Sequence, residues 1–127
     1  MPGKSGRQVF VTGATGYLGR ALVPALLARG HAVAALVRAG SESRLPRGCG
    51  CVPGDALAPS SYASSVAPAD TFVHLVGVSK PSPWKAAEFE RVDLGSALAA
   101  LAAAKEARVA HFVYVSVAQP APVMRAP

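Results

Sequence analysis

The sequence predicts an α/β fold, a doubly wound parallel sheet of about five strands in the order 3-2-1-4-5. Three observations carry that prediction. Short apolar, β-branched runs recur along the chain, helical segments alternate with them, and the first run leads directly into a glycine-rich turn that opens a helix. Strands joined through helices require right-handed crossovers, which makes the sheet parallel and places helices on both of its faces.

The first strand is Val9, Phe10 and Val11, an apolar run closed by Thr12-Gly13 and suited to a position covered on both faces. Over residues 17–29, Leu18, Leu22, Ala25 and Leu26 recur at helical spacing, and Gly30 stands where a helix commonly stops. Pro24 falls inside that helix, where loss of a backbone hydrogen bond costs about 3 kcal/mol and predicts a bend. Residues 31–37 (HAVAALV) form the second strand and residues 50–53 a shorter third before Gly54-Asp55. Residues 71–76 (TFVHLV) and 110–115 (AHFVYV) supply the fourth and fifth.

Between the last two strands lies an Ala-rich helix on which Leu94, Leu98 and Leu101 share one face, with Lys105, Glu106 and Arg108 at its solvated end. The Ser/Pro-rich segments at 38–48 and 79–83 read as loops inside one domain spanning 1–127, and residues 120–127 form a proline-rich end.

A chain of 127 residues can bury one sizeable core, and 51% hydrophobic against 16% charged residues excludes intrinsic disorder. The net charge of +6 favours phosphate-bearing ligands through the summed field. The basic residues are scattered without interleaved aromatics, which argues against nucleic acid as a partner. Cys49 and Cys51 are too close in an extended strand to pair, and no second Cys or His pair completes a zinc site, so no metal is expected. No apolar signal core and no spanning stretch of about 18 apolar residues is present, so the expectation is a cytoplasmic protein without a membrane span.

The glycines of TGATGYLG, Gly13, Gly16 and Gly19, are spaced three apart at a strand-turn-helix junction. Gly13 suits a tight turn, Gly16 a close approach of pyrophosphate to the backbone, and Gly19 close packing of helix on sheet. The helix start adds free N–H donors and partial positive charge, so Gly13, Thr15, Gly16, Tyr17, Leu18 and Gly19 are the candidate phosphate contacts. A glycine-rich connection that merely tightens strand-to-helix packing is the structural alternative.

The segment resembles the nucleotide-binding turn T-G-x-x-G-x-x-G of the extended and atypical branches of the short-chain dehydrogenase/reductase superfamily, which includes epimerase/dehydratase-like and NmrA-like members. The resemblance continues at residues 70–77 (DTFVHLVG), similar to the family's D-x-V-x-H-L-A-x, and at residues 104–116, similar to A-K-x-A-x-V-x-x-F-V-Y-x-S. It implies an NAD(P)-binding Rossmann domain in which the ends of the first, fourth and fifth strands meet along one edge of the sheet, with Val76, Gly77 and Ser116 beside the cofactor. The extended members continue into a substrate-binding lobe, so the chain resembles their N-terminal, cofactor-binding part.

An acidic residue at the end of the second strand would favour NAD, but the strand ends in Val37-Arg38. Arg38 can hold the extra phosphate of NADP through two hydrogen bonds, with Arg44 or Arg47 reinforcing it, which makes NADP the expected cofactor and NAD the alternative. A solvated loop arginine is the plainer reading. The resemblance places Asp55 on the adenine amino group, whereas a turn-forming Asp that bonds its own backbone explains it equally. His31 and His111 stand at strand starts as surface or edge residues, and His74 reads as a packed strand histidine rather than a base.

Carbonyl-reducing members of the family carry a Tyr-x-x-x-Lys pair in which the lysine depresses the tyrosine pKa. Here Tyr17, Tyr62 and Tyr114 are followed four residues later by Ala21, Val66 and Ala118. The positions of the helper hydroxyl are Val117 and Ala118, which leaves Ser116 without a catalytic role by motif, and Asp93 stands where the family often has Asn. Two classes of function follow. One is an NADP-dependent oxidoreductase domain, either part of a longer chain or one using a Tyr-independent route in which the cofactor carries the chemistry toward flavin- or quinone-type acceptors. The other is a non-catalytic dinucleotide-binding redox sensor or structural subunit. A sheet ending at its fifth strand also leaves an edge that a homo-oligomer or further chain would cover.

Overall fold

The structure is a computed structural model that describes residues 6–75 and 86–115, with side chains described over 6–75 and 94–115. Five strands, β1 (Gln8–Thr12), β2 (Ala32–Val37), β3 (Gly50–Pro53), β4 (Thr71–His74) and β5 (His111–Tyr114), pair in parallel in the order β3-β2-β1-β4-β5. This is the expected Rossmann-like topology. Val9 of β1 lies opposite Val33 on one side and Thr71 on the other, and Thr12 lies opposite His74. Parallel pairing brings the carboxyl ends of all five strands to the same side of the sheet.

Helix α1 (Tyr17–Ala28) carries the chain from β1 to β2, and helix α2 (Ala86–Ala107) leads into β5. The connection from β2 to β3 holds a 3₁₀ turn at Glu42–Arg44, and that from β3 to β4 holds two, Pro59–Ser61 and Ala63–Ser65. The first is the loop anticipated from its Ser and Pro content. Helix α1 runs on through Pro24, which lies on its exposed side. It stops at Gly30, whose φ of +89° is a left-handed conformation closed by hydrogen bonds from the Gly30 N–H to the Leu27 carbonyl and from the His31 N–H to the Leu26 carbonyl.

Alternation along the strands divides the core in two. Val9, Val11, Val33, Ala35, Val73 and Leu75 face α1, which presents Val23 fully buried with Leu18, Leu22, Leu26 and Leu27 around it. Ala25, expected on that face, is exposed, and Val23 takes its place. On the opposite face Phe10 stacks on Tyr62 at 5.8 Å and tilts against Phe72 at 5.2 Å, and Phe72 continues to Phe112.

Helix α2 meets this aromatic row with Ala100, Ala103 and Ala104. Leu94 (62% exposed), Leu98 (58%) and Leu101 (44%), which share another face of the helix, point away from it. The reason is volume. The aromatic side chains fill the space above the sheet, so a helix can sit close only through small residues, and interiors tolerate neither gaps nor overlap. Strand β5 forms one edge of the sheet, with Val113 and Tyr114 each 43% exposed.

Candidate functional site

The chain leaves β1 at Thr12 and turns through Gly13, whose φ of +78° is a conformation that a side chain would strain. The Gly16 N–H donates to the Gly13 carbonyl at 3.1 Å and closes the turn. A Cβ built on Gly19 would run into the backbone of Ala14, so only glycine lets α1 approach this closely. Gly16 is the opposite case. It is exposed, and among the described residues a Cβ there would meet the Gly13 carbonyl oxygen alone, at 3.4 Å.

Helix α1 begins at Tyr17 with no side-chain cap on Gly16 and no acidic residue in its first turn. The N–H groups of Tyr17, Leu18 and Gly19 are those an α-helix leaves without an internal partner, and they project from its positive end. The Tyr17 side chain is 78% exposed, while that of Leu18 turns into the core, so Leu18 presents only backbone to the turn.

At the ends of β2 and β3 a second feature opens. The Gly54 N–H donates to the Val37 carbonyl at 2.9 Å, which holds Gly54 and Asp55 beside Arg38. Arg38, Ala39, Pro53, Gly54, Asp55 and Ser61 line a cleft of about 670 Å³. Two residues singled out from the sequence thus share one cavity. Asp55 also makes the turn expected of it, since its Oδ1 accepts the Leu57 N–H at 2.9 Å. Arg44 and Arg47 are exposed in the loop that follows Arg38.

Ser61 escaped the sequence reading. Its hydroxyl accepts the Asp55 N–H at 2.9 Å and donates to the Ala58 carbonyl at 2.6 Å, fixing the Asp55 loop. The signal for it was turn chemistry, a serine shortly after Asp and Pro. Tyr62 lies just beneath. Burial, reinforced by the negative charge of Asp55, pushes its phenol up to about 12, and its hydroxyl has no hydrogen-bond partner among the described residues. It stays protonated near neutral pH.

His74 is fully buried at the end of β4, as a packed histidine should be. Its Nδ1 is 2.6 Å from the Thr12 hydroxyl and its Nε2 3.4 Å from the Ser96 hydroxyl of α2. His111 is exposed at the start of β5, and the Nδ1 of His31 accepts the Arg7 N–H on the opposite side of the sheet from the glycine turn. Cys49 and Cys51 are free thiols, with the Cys49 pKa raised by burial and then by its neighbour Cys51. Val76, Gly77 and Ser116 lie outside the described residues, as do Val117, Ala118 and the side chain of Asp93.

Among the described residues no group of three His, Cys, Asp or Glu side chains could hold a metal, and no helix is long and apolar enough to cross a membrane.

Comparison with known proteins bears on the same segments. A family described as NAD(P)H-binding matches residues 13–124. A ketoreductase of Stigmatella aurantiaca that acts on 4-hydroxy-2-methyl-3-oxo-4-farnesyl-3,4-dihydroquinoline-1-oxide is 35% identical over 111 residues, 86% of this chain and 33% of that protein. A short-chain dehydrogenase/reductase superfamily protein of Agrobacterium tumefaciens, solved with bound NAD, superposes with a TM-score of 0.67 at 25% identity, covering 84% of this chain and 31% of that one. An epimerase of Methanothermobacter thermautotrophicus superposes with a TM-score of 0.72 at 25% identity, covering 89% and 36%. The chain therefore spans about a third of the length of these relatives.

Proposed function

This chain belongs to the NAD(P)H-binding family, with structural neighbours among the short-chain dehydrogenases/reductases and NAD-dependent epimerases, and on that premise we propose that it is the NADP-preferring cofactor domain of an oxidoreductase of this kind. The observation that carries the proposal is the junction of β1 and α1. An open glycine turn there faces an uncapped helix start, on the same side of the sheet as the cleft of Arg38 and Asp55.

The donor set suits a dinucleotide. The N–H groups at the start of α1 and the exposed backbone of Gly16 would receive the pyrophosphate, with Thr15 beside them. Asp55 retains Oδ2 for the adenine amino group while Oδ1 holds its own turn. Arg38 is exposed where it lines the cleft, and its guanidinium would meet the phosphate that distinguishes NADP from NAD. Val76, Gly77 and Ser116 would follow the rest of the cofactor along the ends of β4 and β5. When bound, the nicotinamide would supply or accept a hydride, while the glycine turn, Arg38 and Asp55 would hold the phosphates and the adenine.

Within these 127 residues no Tyr-x-x-x-Lys pair is present, and the buried, high-pKa Tyr62 is unsuited to proton transfer. The reading is therefore one domain, 1–127, that binds the cofactor in the cytoplasm and depends for its chemistry on a carbonyl, flavin or quinone acceptor. The ketoreductase activity of the Stigmatella relative supports a carbonyl acceptor. The test is NADPH consumption with each acceptor class beside NADPH binding by calorimetry. Binding with turnover is expected, binding without turnover on any acceptor would favour a redox sensor or structural subunit, and no binding would remove the proposal.

A further inference from the structure

We infer that Thr12, His74 and Ser96 form a positioning device for the dinucleotide turn, in which His74 acts on cofactor binding through the Thr12 hydroxyl. The inference rests on the site proposed above. It adds a role for three side chains that touch neither the glycine turn's open side nor the Arg38 cleft.

All three are fully buried, where a polar group is unfavourable unless its hydrogen bonds are made. Apolar residues would fill the same volume without that demand, so what the polar set adds is direction. Thr12 is the last residue of β1 and the next one, Gly13, turns left-handed. The orientation of Thr12 thus sets the angle at which the turn leaves the sheet. It is held twice across to β4: its carbonyl accepts the Leu75 N–H at 3.0 Å, and its hydroxyl lies 2.6 Å from the Nδ1 of His74.

The imidazole is itself held from two further elements. Ser96 of α2 stands 3.4 Å from Nε2, and Tyr114 of β5 stacks on the ring at 5.7 Å with an interplanar angle of 18°. Each hydroxyl can donate or accept, so either ring nitrogen of His74 can pair with its neighbour in the role its tautomer sets. Thr is β-branched, and fixing its hydroxyl fixes a side-chain rotamer that is coupled to the backbone beside it. The line Ser96–His74–Thr12 thereby joins α2 to the residue from which the glycine turn leaves β1. N–H donors aimed at pyrophosphate lose much of their value when misplaced by about 1 Å, which is the scale such a link controls.

The test uses the full chain, with NADPH and NADH affinity read by fluorescence titration and folding read separately by thermal denaturation. Thr12→Val keeps the shape and removes the hydroxyl, and it is expected to weaken NADPH and NADH alike by about tenfold while the chain stays folded. Thr12→Ser restores the hydroxyl and is expected to recover most of the loss. Ser96→Ala, one bond further away, is expected to weaken both cofactors by about threefold.

Folded Thr12→Val that binds both dinucleotides as the wild type does would overturn the inference while leaving the proposed function intact. So would equal losses for Thr12→Val and Thr12→Ser. Should Thr12→Val fail to fold, wild-type affinity in Ser96→Ala overturns it. A wild-type chain that binds neither dinucleotide would overturn the reading of the site and the inference with it.

Discussion

The turn from Gly13 to Gly19 presents backbone, whereas the cleft beyond β2 and β3 presents side chains. At the turn, the left-handed Gly13, the contact of Gly19 with Ala14 and the uncapped start of α1 are all features of the backbone. At the cleft, Arg38 and Asp55 are exposed on loops held by ladder and turn hydrogen bonds that would persist if either side chain changed. The difference separates two tasks. On the proposed reading, a phosphate cradle made of backbone would tolerate little change and ask nothing of its surface residues. If discrimination between dinucleotides rests on the exposed Arg38, as proposed, one substitution would alter it at small expense to the fold.

Three substitutions would break or sharpen that contrast. The largest effect is expected from Gly19→Ala, because its Cβ meets Ala14 backbone atoms that cannot yield independently of β1 and α1. Overpacking of this kind destabilises by about 1–3 kcal/mol, and the forced shift of α1 should abolish measurable dinucleotide binding. Chemical denaturation and NADPH titration would check both, and wild-type affinity in a stable variant would refute the account of the turn.

Next comes Arg38→Ala, which should leave stability unchanged and lower the NADPH to NADH affinity ratio by about tenfold through loss of a charge-assisted hydrogen-bond pair. An unchanged ratio would show that Arg38 is only a solvated loop residue.

The smallest effect is expected from Tyr62→Phe beneath the cleft. Its hydroxyl is buried without a partner among the described residues, so removing it should change unfolding free energy by no more than about 1 kcal/mol, and in the stabilising direction. NADPH affinity should not move. A clear destabilisation on urea unfolding would mean that the hydroxyl has found a partner.

The candidate site was legible where local backbone chemistry shapes it. Gly13, Gly16 and Gly19 could be assigned separate tasks from spacing and context, and the structure gives Gly13 its positive φ and Gly19 its close contact. Arg38 and Asp55 could be placed because one follows β2 directly and the other lies two residues beyond β3, and strand ends in a parallel sheet converge. Thr12 and Ser96 were not legible. A threonine closing a strand and a serine in an Ala-rich helix are both unremarkable by composition, and their partner His74 lies 62 residues from one and 22 from the other.

Taken alone, the sequence determined the alternation of strand and helix, the parallel order of the sheet and the glycine turn. These follow from periodicity, β-branching and the few residues able to adopt left-handed or closely packed backbone. Only the tertiary structure decided which face of α2 is buried. Leu94, Leu98 and Leu101 form the more hydrophobic stripe, yet Ala100, Ala103 and Ala104 are inside, because Phe10, Tyr62 and Phe72 had already filled the space above the sheet. Hydrophobicity can say that a face favours burial. Which face fits depends on the volume its partners leave.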